Sequence, residues 1–90
     1  MATVMMEQFF DPPLSDEEYG QLGKKVDPCL DQRDAIWVRS YISADKRHCV
    51  CEFEAPDAEA VRTSYRSAGI AFDRAWAAEV YARDPAESPA

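Results

Sequence analysis

Ile36-Trp-Val-Arg-Ser-Tyr-Ile-Ser-Ala-Asp-Lys-Arg-His-Cys-Val-Cys-Glu-Phe-Glu-Ala-Pro-Asp57 is the stretch on which the fold turns. Side chains alternate across a strand, so Ile36, Val38, Ser40 and Ile42 are expected on one face. Trp37, Arg39, Tyr41 and Ser43 are expected on the other. Ser43-Ala-Asp-Lys46 supplies turn residues, and a second strand is predicted from about Arg47 to Glu54. On it Cys49, Cys51 and Phe53 share a face, opposite His48, Val50, Glu52 and Glu54. The first set is the drier one and suits a core. Two strands about a tight turn make a hairpin.

Downstream, Ala-Pro-Asp57 opens a helix, with Asp57 as N-cap and Glu59 near the positive end of the helix dipole. Val61, Tyr65 and Ala68 continue its apolar stripe, and Gly69 sits where a glycine C-cap belongs. Arg74 to Tyr81 reads as a last strand, although its three alanines would also suit a helix. Upstream, Thr3 to Phe10 is β-prone, and Asp-Pro-Pro stops it because proline cannot continue a ladder. Ser15-Asp-Glu-Glu18 is a capping box. Tyr19, Leu22, Val26 and Cys29 then recur at helical spacing. Gly20 and Gly23 weaken that helix by up to about 1 kcal/mol each relative to alanine. Pro28 predicts its end or a kink near Asp27.

The order is therefore β-α-β-β-α-β. Right-handed crossovers place both helices on one face of a four-stranded antiparallel sheet, with the first and third strands central. This is an α+β, ferredoxin-like sandwich. Residues 1–83 form the expected domain, and 84–90 a loose tail.

Ninety residues leave room for one core. An apolar fraction of 47% supports a packed interior. A net charge of -7 disfavours nucleic acid and anionic membrane as partners. No apolar run approaches the roughly 18 residues of a membrane span, and the N-terminus lacks the basic start of a secretory signal. Three cysteines make no disulfide framework, so thiols in a reducing cytoplasm are expected.

The sheet face away from the helices is predicted to carry Met5, Glu7 and Phe9 beside His48, Val50, Glu52 and Glu54, with Trp37 and Tyr41 on an edge strand. So much exposed apolar surface predicts a cover, and a second copy packed face to face is the simplest one. A homodimer through the open sheet face is the expectation.

Trp37-Val-Arg-Ser-Tyr41, Asp45-Lys46, Cys51-Glu-Phe-Glu-Ala-Pro-Asp57, Glu59-Ala-Val-Arg62 and Ala68-Gly69 resemble the small bacterial domain-of-unknown-function family 4242. The resemblance runs from roughly Phe10 to Val80. It implies a ferredoxin-like fold, and the family includes proteins described as nickel-binding. Cys51 matches the family's cysteine ahead of Glu-Ala-Pro. Ser64 departs from it, standing where many members carry a histidine.

Two side-chain sets could carry chemistry. His48 with Glu52, Glu54 or Glu7 offers imidazole and carboxylate, which suit nickel, zinc or copper. One chain gives a single histidine, and a two-fold interface would double it. The metal set is taken as His48, Glu52 and Glu7, and the resemblance favours nickel. Cys49 and Cys51 share a face and could approach one ion, or serve as small buried hydrophobes. No Ser-His-Asp pattern, phosphate loop or His-Glu-X-X-His occurs, so an enzyme is not the leading expectation. The leading one is a homodimeric module that binds or senses a divalent transition metal. The alternative is a small enzyme or small-molecule binder of dimeric α/β-barrel type, with Trp37, Tyr41 and His48 contacting the ligand.

Overall fold

The structure is a computed structural model that describes residues 1–84 and 86. The tail expected over 84–90 therefore falls largely outside the described residues. The chain forms β1 (Ala2–Phe9), α1 (Asp16–Asp31), β2 (Ile36–Ile42), β3 (His48–Ala55), α2 (Ala58–Ser67) and β4 (Arg74–Ala78). The strands make one antiparallel sheet in the order β2-β3-β1-β4, so β1 and β3 are central. This is the β-α-β-β-α-β arrangement with both helices on one side. Among the described residues, no helix is long and apolar enough to cross a membrane.

Local chemistry sets the element ends. The Ser15 hydroxyl accepts from the Glu18 amide while the Glu18 carboxylate accepts from the Ser15 amide, closing the capping box. Asp57 accepts from the Ala60 amide at the start of α2. Gly69, at φ 72°, takes the left-handed conformation that ends α2 and that glycine adopts without a Cβ penalty.

Val4 and Met6 of β1, Cys49, Cys51 and Phe53 of β3, and Ala75 of β4 point inward and meet Val26 and Leu30 of α1 and Val61 and Tyr65 of α2. The β1–β3 register pairs Val4 with Phe53 and Met6 with Cys51, so the cysteines face the helices as alternation requires. Gln8 also points inward, where its amide donates to the Ala71 carbonyl.

Three expectations are corrected. Pro28 does not end α1, which continues to Asp31. The proline removes one amide donor, but its own carbonyl accepts from Gln32, and Leu30 beyond it is buried in the core. The last strand stops at Ala78 rather than Tyr81. The third correction bears on function. A register shift between Trp37 and Arg39 changes the phase of β2, so Ile36 pairs with Glu54 and Trp37 with Phe53. Trp37 therefore lies on the helix side, while Arg39 and Tyr41 lie on the open side opposite Glu52 and Val50. An extra residue inserted at a bulge reverses every side chain beyond it. Trp37 and Tyr41 do not share a face.

Candidate functional site

The open face is built by β1 and its neighbours. Glu7 stands opposite Val50 and Arg74, Met5 opposite Glu52 and Trp76, and Phe9 opposite His48. His48 and Phe9 stack in parallel, with ring centroids 4.3 Å apart. That stacking turns the imidazole edge toward Glu7, and His48 Nε2 lies 2.8 Å from Glu7 Oε2. The second carboxylate oxygen, Oε1, accepts from Arg74 Nε at 2.7 Å. The Arg74 guanidinium also lies over the Trp76 ring, 5.3 Å from its centroid. A single polar line thus crosses three strands, from His48 through Glu7 to Arg74.

The Arg74 and His48 hydrogen bonds, in that order, hold the Glu7 carboxyl below its usual range. Glu7 is the anionic centre of the face. A carboxylate can only accept, so the contact requires the proton on His48 Nε2.

The structure brings His48 and Glu7 together and sets Glu52 apart. Four residues of strand put His48 and Glu52 roughly 13 Å apart, and Glu52 pairs with Arg39 at 3.5 Å. Glu52 is therefore not in one cluster with His48 within a chain. Among the described residues, no three His, Cys, Asp or Glu side chains gather as an ion would need. The imidazole and carboxylate are nevertheless the donor types nickel and zinc take, and they converge. One chain brings together two such side chains, fewer than an ion takes. Ser64 takes no part in it. It is buried between the helices, with its hydroxyl near the Cys29 and Ala60 carbonyls, across the sheet from His48.

The apolar residues around the His48–Glu7 pair are uncovered. Phe9 is 58% exposed, Tyr41 55% and Trp76 37%. Trp76 is the member that the sequence reading missed. Its pairing with Met5 depends on where β4 enters the sheet, which three alanines in Arg74–Ala78 do not reveal.

The helix side holds a second feature, a cavity of about 340 Å³ between α1 and the β2–β3 half of the sheet. Tyr19, Leu22 and Val26 line it from the helix, and Trp37, Cys51 and Phe53 from the sheet. Gly20 and Gly23 also face it, and a Cβ at either would meet nothing within 4 Å. Along its wall Trp37 Nε1 donates to Ser40 Oγ at 2.9 Å, and Ser40 Oγ lies 3.0 Å from Cys51 Sγ. Cys49 Sγ is 3.5 Å from Cys51 Sγ. Accepting from Cys49 and Ser40 draws the Cys51 thiol down, whereas Cys49 would give up its acceptor and is pushed up. Tyr65, also on the wall, is raised by burial. His48 and Tyr41 are across the sheet, so Trp37, Tyr41 and His48 do not line one pocket.

The family model described as "Nickel responsive protein SCO4226-like" matches residues 5–77. The chain belongs to that family. The match runs from within β1 to within β4 and includes Glu7, His48 and both cavity cysteines. Among solved structures, the chain is similar to SCO4226 from Streptomyces coelicolor A3(2), with a TM-score of 0.80 at 17% identity. That likeness covers 90% of this chain and all of the other, and at such identity it speaks for the fold. No curated protein matches.

Proposed function

We propose that this protein binds a divalent transition metal, nickel first among them, at the His48–Glu7 pair, as a homodimeric binding or sensing module rather than an enzyme. The observation that carries this reading is the 2.8 Å convergence of imidazole and carboxylate on an uncovered sheet face. The chain's membership of a nickel-responsive family supports nickel as that metal. Arg74 fixes the outer oxygen of Glu7 and leaves Oε2 turned to His48, as partners of metal-ligating carboxylates do. Around the pair, Met5, Phe9, Tyr41, Val50 and Trp76 offer an apolar surface suited to a second copy. Two half-sites brought together across a two-fold axis would raise the donor count without any new residue type. Three free thiols fit a reducing cytoplasm.

The experiment is calorimetric titration of the protein with nickel. Saturable binding is expected, weakened at least tenfold in His48→Ala. To take Nε2 the metal needs the ring proton on Nδ1 and must open the contact between Nε2 and Glu7 Oε2. Undiminished binding by His48→Ala would remove the imidazole from the site. A second reading, small-molecule binding, is favoured by one observation, the cavity beneath α1. It no longer involves Tyr41 or His48.

A further inference from the structure

We propose that the cavity between α1 and the sheet is a dithiol site, in which Cys49 and Cys51 together capture a trivalent, pyramidal, thiophilic centre of the organoarsenical class. The centre's one apolar substituent occupies the cavity. The inference is independent of the nickel reading, since it concerns the opposite side of the sheet and a soft centre.

The geometry of the sulfurs selects the ligand. They are 3.5 Å apart, far beyond a disulfide bond of about 2.05 Å. Residues two apart on a strand have Cα atoms roughly 6.6 Å apart, close to the upper limit for a disulfide. The pair is thus poorly placed to close on itself. One inserted atom with bonds to sulfur of about 2.3 Å would span 3.5 Å at an angle of about 100°. That is the angle of a pyramidal trivalent centre. A linear two-coordinate ion would need sulfurs roughly 4.6 Å apart on the same bond length. Nickel and zinc would need further donors, and among the described residues none gathers beside the thiols.

The walls fit the rest of such a ligand. Leu22, Val26, Phe53 and Tyr65 give an apolar enclosure, with Trp37 at the exposed edge strand. Gly20 and Gly23 matter most. Each weakens α1, yet each Cβ position is open space, so sterics alone do not demand glycine there. Their effect is to keep room in front of the thiols. Ser40, held by Trp37, steadies Cys51 through its hydroxyl.

The capture is balanced without an oxidant. An organoarsenic(III) oxide, R–As=O, loses its oxygen as water. Two S–H bonds break and two As–S bonds form, with both thiol protons leaving in that water.

The test is titration of the intact, reduced protein with phenylarsine oxide, read by native mass and by thiol count. One phenylarsenic per chain is expected, with loss of two thiols and retention of Cys29. Trp37 fluorescence should change on binding, and excess small dithiol should reverse it. Cys49→Ser and Cys51→Ser should each weaken capture at least a hundredfold, and Cys29→Ser should not. Gly23→Leu, which keeps both thiols, should weaken capture of the phenyl compound at least tenfold and of a methyl analogue far less. Capture that survives in Cys49→Ser, that consumes Cys29, or that is absent from the folded wild-type chain would overturn the proposal. So would equal affinity for the phenyl compound in Gly23→Leu.

Discussion

Glu7 holds two partners at once, Arg74 through one oxygen and His48 through the other. Its folded pKa is lowered, so the stability it contributes is fully present above its ordinary value of 4.5 and is lost as pH falls through the lowered folded value. Glu7→Gln should therefore be less stable than wild type at pH 7 and should lose less stability between pH 5 and pH 3. Urea unfolding at those pH values measures it, and equal losses in both proteins would contradict the account. At this scale the sequence was partly legible. Alternation alone separates His48 from Cys49 and Cys51, which look like one metal cluster when read as letters. It places His48 with Glu7 and Glu52 on one face but says nothing about distance along the strands. Register supplies that: Glu7 lies diagonal to His48, whereas Glu52 sits up the strand beside Arg39.

Each element carries one physical decision that its letters either reveal or hide. The capping box of α1 and the Asp57 cap of α2 are legible because hydrogen-bond chemistry at fixed spacing produces them. The bulge in β2 is hidden. Ile36-Trp-Val-Arg alternates as well in either phase, and only pairing with β3 sends Trp37 inward. Pro28 misleads for the converse reason, since burial of Leu30 outweighs the lost amide bond and the helix runs on. Gly20 and Gly23 look like defects in sequence and are the walls of a cavity in three dimensions. Gly23→Ala should stabilise the fold by about 0.5–1 kcal/mol, because the methyl meets no neighbour within 4 Å while the helix gains propensity. Gly69→Ala should destabilise by about 1 kcal/mol, because φ is positive there. Chemical denaturation of both variants checks the contrast, and equal signs would show that the cavity is not open as described.

The whole molecule is two-sided: a helix side with a cavity lined by two thiols, and an open side where the His48–Glu7 pair is ringed by uncovered apolar residues. The β-α-β-β-α-β order follows from element types and right-handed crossovers, so the fold is the most legible part of the sequence. The open side was legible as a face, but which of His48, Glu7 and Glu52 meet on it depends on register. Val50 lies between Tyr41 and Glu7 on that face. If two copies pair through this face as proposed, Val50→Glu would bury a carboxylate between them and should turn the dimer into a monomer by sedimentation, with the circular dichroism of the fold retained. An unchanged dimer would move the interface elsewhere. The most direct measurement for the central claim is anomalous scattering at the nickel absorption edge from crystals grown with nickel. The account predicts a peak in contact with His48 Nε2 and Glu7 at the interface between two copies. A nickel peak on other residues, with the His48–Glu7 pair still hydrogen-bonded, would contradict it.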